Sequence, residues 1–364
     1  MESIPDRVGS GARTLRPARL KDVAERAGVS VSTVARVLHD NGYVSGPTRE
    51  AVDAALAESG YQINTVAQRL RKQRSAEIGH ILDSISPNPF FAGVALGSEQ
   101  AAAEYGCTVL FSNTHGDADL ERTGVEALLQ RRVEAILFTT VTDERNLELA
   151  LSAGALVVQV ERVSDVATHA VTVDNYRGAF DATEHLLRLG HRRVACLGVD
   201  PDLRAAPGTA PHRRVVERER LSGYFDALRS FGVACDDELV TLGPTYYDVR
   251  AARAAVRRWL QLPADRRPTA IFATCDIMAA GILQEAHVSQ LRVPDDLSVV
   301  GFDDTYASHL TPPLTTVRQP MEELGRAAVR LAMTAREGAA STGTPQRERL
   351  TTQLIVREST APPA

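Results

Sequence analysis

The sequence predicts an all-α helix-turn-helix head joined to a larger α/β body of two lobes, each built on a doubly wound parallel sheet. Three observations carry this. Short helical stretches, the first two broken by a glycine turn, fill residues 20–60. From Ile78 onward, β-rich apolar runs alternate with helical stretches, the grammar of parallel sheets with helices on both faces. The runs are too numerous for one sheet.

A chain of 364 residues suits two or three domains. With 44% hydrophobic and 24% charged residues it can bury a sizeable core, so a disordered class is excluded. No apolar run reaches the roughly 18 residues that a membrane span needs. Met1 to Ala18 holds no apolar signal core, so the expected compartment is the cytoplasm. Cys107, Cys196, Cys235 and Cys275 lie far apart with no C-x-x-C pair. They are expected as buried small hydrophobes, with no metal or disulfide role. Residues 1–75 carry 12 Lys+Arg against 8 Asp+Glu, and the remainder 29 against 38. A basic head on an acidic body fits a polyanion-binding module fused to a sensor.

In the head, Leu20, Val23, Ala24 and Ala27 share one helical face, and Gly28 stops the helix by taking positive φ. Ser30 is placed to cap a second helix, Val31–Leu38, with Val34, Val37 and Leu38 inward. Ser45 and Pro47 open a third helix whose apolar face is Ala51, Val52, Ala55 and Leu56, ended by Gly60. In such a unit the second helix enters the major groove. That assigns Val31 and Ser32 to base edges, and Arg36 to a base or a phosphate. Asn64 can cap a further short helix, too short to persist without a partner.

The run Leu20-Lys21-Asp22-Val23-Ala24-Glu25-Arg26-Ala27-Gly28-Val29-Ser30-Val31-Ser32-Thr33-Val34-Ala35-Arg36-Val37-Leu38 resembles the head of the lactose-repressor family. So do Leu189-Gly190-His191-Arg192-Arg193, Pro294 to Asp304, and Leu314 to Pro320. The resemblance covers about residues 18–358. It departs at Arg19, where the family usually has Thr, and at Ala35, where a Ser hydroxyl is usual, so an operator unlike the family norm is expected. The resemblance implies a regulator, most often a repressor, with no catalytic role and no cofactor. Its expected parts are a DNA-binding domain over 18–62, a hinge over 63–76 and a periplasmic-binding-protein-like effector domain over 77–358. Lobe one is expected at about 77–173 plus 318–336, and lobe two at 174–317 plus 345–358. Two hinge helices, one per subunit, would insert Leu70 into the minor groove. The implied DNA-contacting set is Val31, Ser32, Thr33, Arg36 and Tyr43 in the head, with Asn64, Val66, Ala67 and Leu70 in the hinge. A homodimer on a pseudo-palindromic operator follows, because each hinge helix needs its twin.

In the body, ligand is expected beyond the C-terminal ends of strands. Asn88, Phe90 and Phe91 follow the first strand; the rings either stack on a ligand or belong to the core. Arg162, in Glu161-Arg162, offers a fork for vicinal hydroxyls or a phosphate, or else an exposed ion pair. Asp303 follows a strand, as cleft acid or cap, and matches the family's cleft aspartate. Asp276 stands at a helix start, where a carboxylate also suits the helix dipole. Arg220 falls where relatives place a cleft arginine, after a long segment, 200–219, that reads as a lid or a surface loop. These residues favour a sugar effector, with a nucleobase or sugar phosphate as the alternative. A solute-binding protein would share the body but needs a secretory signal and no head. No G-x-G-x-x-G, P-loop, H-E-x-x-H or G-x-S-x-G motif supports an enzyme.

Overall fold

A computed structural model describes residues 18–38, 41–59, 61, 75–84, 88–199, 215–243, 249–337 and 344–364. The chain forms two compact units, residues 1–73 and 74–364. The hinge residues Asn64, Val66, Ala67 and Leu70, and most of the 200–219 segment, lie outside the described residues.

In the first unit, α1 (Leu20–Ala27), α2 (Val31–Leu38) and α3 (Gly46–Ser59) enclose a core of Val23, Ala24, Val34, Val37, Val52 and Ala55. Gly28 takes φ +66° and ends α1, as a residue without Cβ can at little cost. Arg19 has no hydroxyl to cap α1; instead Asp22 Oδ2 accepts from the Arg19 backbone N–H at 2.7 Å. Ser30 Oγ caps α2 by accepting from Thr33 N–H at 3.2 Å.

The second unit contains two six-stranded sheets. The strands are β1 (Glu77–Leu82), β2 (Thr108–Asn113), β3 (Ile136–Phe138), β4 (Val157–Val160), β5 (His169–Val173), β6 (Val194–Val199), β7 (Val240–Gly243), β8 (Ala270–Ala273), β9 (Ser298–Asp303), β10 (Thr315–Arg318), β11 (Arg347–Leu350) and β12 (Gln353–Ile355). The first sheet has the order β11-β5-β4-β3-β1-β2, the second β12-β10-β9-β8-β6-β7. Among the described residues, all pairings are parallel except β10 with β12. The intervening helices are α4 (Pro89–Glu104), α5 (Ala118–Arg131), α6 (Glu144–Ser152), α7 (Asn175–Arg188), α8 (Val215–Ser230), α9 (Val249–Leu260), α10 (Asp276–Val288) and α11 (Met321–Glu337). Each lobe has apolar cores on both faces of its sheet. The inner strands β1, β3, β4, β6, β8 and β9 are largely apolar, buried runs because helices cover both faces.

The chain passes between lobes three times: after β5, after β10 and between β11 and β12. This corrects one expected boundary. Residues 345–358 do not belong wholly to lobe two: β11 pairs with β5 in the first sheet, and only β12 joins the second, against β10. β11 reads Arg-Glu-Arg-Leu and is an edge strand, so it lacks the apolar run that marks a buried strand. Cys235 is exposed, contrary to the expected burial, whereas Cys196 and Cys275 are buried. Among the described residues, no helix is long and apolar enough to cross a membrane.

Candidate functional site

The head presents a divided helix. Val34 and Val37 of α2 are buried, while Val31, Ser32 and Arg36 are exposed on the other side. Val31 remains 43% exposed, an unusual position for an aliphatic residue on a helix that could have buried it. Thr33 is half-buried; its hydroxyl and that of Ser32 both lie within hydrogen-bond distance of Ser30 Oγ, at 2.8 and 2.7 Å. Tyr43, in the turn before α3, is 91% exposed. These side chains are polar or methyl-bearing groups free of the head's own core, the types that read base edges and phosphates.

The body's site is built where strands of both sheets end. Glu161 and Arg162 follow β4, Asn175 follows β5, Thr274 and Cys275 follow β8, Asp303 closes β9 and Gln319 follows β10. Arg220 and Glu217 project from α8. Arg220 is buried at the centre. Its Nε donates to Asn175 Oδ1 at 2.9 Å, one terminal nitrogen donates to the Thr274 carbonyl at 2.7 Å, and the guanidinium lies 3.8 Å over the Phe302 ring. Glu161 and Asp303 stand at ion-pair distance from it, 3.7 and 3.9 Å. Asn175 Nδ2 donates on to Glu161 Oε1 at 3.2 Å, and Gln319 Nε2 donates to Asp303 Oδ1 at 2.7 Å. Arg162 of lobe one pairs with Glu217 of lobe two at 2.7 Å.

Both cleft acids sit on strained backbone, Glu161 at φ +63° and Asp303 at φ +127°. Non-glycine residues in this region cost free energy and concentrate at functional sites. Burial pushes the Glu161 carboxyl up, with Arg220 and Arg162 opposing. Burial likewise pushes Asp303 up to about 6, against the pull of Arg220. A buried network of this kind, with low local dielectric, holds charge that a ligand can engage.

Asn88, Phe90, Phe91, Glu161, Arg162, Arg220, Cys275, Asp303 and Gln319 line one small cavity of about 20 Å³, room for about one water. Six of the seven expected residues, all but Asp276, thus meet there. Asn88 also caps α4, accepting from Phe90 N–H at 3.0 Å. Phe90 and Phe91 touch edge-on and belong to the lobe-one core as well as to the cavity wall. Arg162 is in an ion pair, but one that crosses the lobes rather than an exposed surface pair. Asp276 is the departure: it does not line the cavity. Its carboxylate accepts from Thr316 Oγ1 at 2.6 Å and Thr305 N–H at 3.1 Å, so it ties β10 and the loop after β9 to the start of α10. Burial, then Asp303, raises its pKa. Sequence reasoning missed Asn175, Gln319 and Glu217.

The head matches bacterial regulatory proteins of the lacI family over residues 19–64, and residues 183–360 match the periplasmic binding protein-like domain. The HTH-type transcriptional regulator DegA of Bacillus subtilis is 33% identical across 94% of this chain and 97% of its own length. The chain belongs to the lacI family of transcriptional regulators. It is a sequence-specific DNA-binding regulator, with a helix-turn-helix head and a two-lobed periplasmic-binding-like body. Two solved family structures bracket its parts. The CelR–cellobiose complex is 32% identical, with a TM-score of 0.67 over 94% of this chain and all of that one. The lac repressor dimer bound to operator and the anti-inducer ONPF is 29% identical, with a TM-score of 0.76 over 95% of this chain and all of that one.

Proposed function

We propose that this lacI-family regulator is a repressor that binds a pseudo-palindromic operator as a homodimer, and that a sugar held between its lobes sets operator affinity. The observation that carries the reading is the buried Arg220 network, where polar side chains from both sheets converge beyond the strand ends. The cellobiose bound by CelR supports the class of effector.

Val31, Ser32, Thr33, Arg36 and Tyr43 contact the operator from the head, and Asn64, Val66, Ala67 and Leu70 contact it from the hinge. Domain limits of 18–62, 63–76 and 77–358 go with this assignment. Asn88, Phe90, Phe91, Arg162, Arg220 and Asp303 contact the effector, joined by Asn175 and Gln319; Asp276 supports the site from behind. The cavity is far smaller than a sugar, so the effector enters only when the lobes part, and the Arg162–Glu217 pair re-forms as they close on it. Effector and operator are then linked through the lobe equilibrium, and each changes the other's affinity by the same factor. The test is calorimetric titration of a sugar panel into the full-length protein, with and without saturating operator. Unequal affinities in the two titrations are expected. Identical affinities for every sugar that binds would overturn the regulatory reading.

A further inference from the structure

The cleft is unequally charged. Around the cavity, among the described residues, Glu161, Glu217 and Asp303 face only two guanidinium groups, Arg162 and Arg220. Both are already engaged. Arg162 is committed to Glu217, and Arg220 to Asn175, Thr274 and the two further acids. A fourth acid, Glu219, stands on the next residue but one of α8 and pairs with Arg349 of β11 at 3.1 Å. That contact also crosses the lobes, and Arg349 is shared with Asp174.

Among the described residues of the cleft, the unmet hydrogen-bond capacity is weighted to acceptors, with Thr274 Oγ1 the one orphaned hydroxyl that could also donate. Glu217 Oε2 and Gln319 Oε1 are buried oxygens with no hydrogen-bond partner. Glu217 and Gln319 are 4% and 3% exposed, so water cannot freely serve them. Oxygens of this kind accept and need donors. A hydroxyl supplies a donor, whereas a phosphate dianion or a carboxylate offers acceptors only. To receive an anion, Arg162 would have to leave Glu217, placing a buried carboxylate without its partner next to a second negative charge. Vicinal hydroxyls can instead donate to the acids while accepting from the arginines already in place.

We propose that the cleft takes an uncharged sugar through its hydroxyl donors and excludes phosphorylated and carboxylated sugars, because its own acids occupy both guanidinium groups. This rests on the reading of the cleft as a sugar site. Glu217 is the specificity-determining residue: its charge holds Arg162 away from an anionic ligand.

The test uses full-length protein and matched pairs at pH 7: glucose and cellobiose against glucose 6-phosphate and glucuronate, ribose against ribose 5-phosphate. Binding is followed by calorimetry. At least one neutral sugar is expected to bind, its anionic counterpart being on the order of 100-fold weaker. Glu217→Gln keeps the side chain's size and frees Arg162 from an opposite charge. It should narrow the gap by about tenfold, with the anionic member gaining. The wild-type pairs are decisive even if that variant unfolds. An anionic sugar that matches or exceeds its neutral partner overturns the exclusion while leaving the sugar site intact. So does a gap unchanged by Glu217→Gln in a protein that still melts cooperatively. If no sugar of either kind binds, the sugar site itself is refuted, and the exclusion with it.

Discussion

Asp303 combines a strained backbone with a carboxyl that burial pushes up to about 6. Between the ordinary aspartate range and that value, the folded chain keeps a proton that the unfolded chain has released. Stability from this group therefore falls as pH rises through the window, and the loss is complete above it. Asp303→Asn removes that contribution. Its melting temperature relative to wild type should shift in the variant's favour by about 2–4 °C between pH 5 and pH 7. Glu161 and Asp276 are raised in the same direction, so the fall is lessened rather than abolished. An identical gap at the two pH values would remove Asp303 as the titrating group. Arg162 and Asp303 were legible in the sequence because each lies at or just beyond a strand end, where ligands gather in doubly wound sheets. The same rule, carried to β5 and β10, reaches Asn175 and Gln319. Glu217 had no such mark. It sits in the first turn of α8, after residues 200–214, and only the folded chain brings it to Arg162. Asp276 misled for a related reason: it follows β8, but its carboxylate is consumed by Thr305 and Thr316.

At the scale of elements, β-rich runs marked ten of the strands, most of which are buried on both faces, while the edge strands β2 and β7 are partly exposed yet still apolar in sequence. β11 escaped because an edge strand of charged residues has no such signature. Helix contacts were equally silent in the sequence. Gly97 of α4 faces the Glu322 backbone of α11, and Gly325 of α11 faces Val94 O and Ser98 N of α4. A Cβ at either glycine would overlap those backbone atoms, which cannot rotate away. This close pair fixes α11 where the chain returns from lobe two. Gly97→Ala should cost about 3 kcal/mol in urea unfolding of the body, through forced separation of the two helices. A stability within about 0.5 kcal/mol of wild type would mean that α4 and α11 separate at little cost. The second lobe repeats the device in its own helices, with Gly223 of α8 against Tyr176 O and Phe180 N of α7.

For the whole molecule, charge separates the two binding functions. Residues 1–75 carry a net +4 and the remainder a net −9. The operator is a polyanion met by exposed side chains of the head, so its binding releases counterions. On the proposed assignment, the effector is met by buried side chains that salt screens little. If two heads together neutralise about eight phosphates, log affinity falls against log salt with a slope near −7, about 10⁴-fold between roughly 50 and 200 mM. A single head on a half-site should show about half that slope. Effector affinity over the same salt range should change by less than about twofold. Fluorescence anisotropy on a full operator and on an isolated half-site, with calorimetry for the sugar, measures all three. Equal slopes on full and half operator would contradict the dimer. A salt slope for the sugar as steep as that for DNA would place its contacts on the exposed surface and not in the Arg220 network.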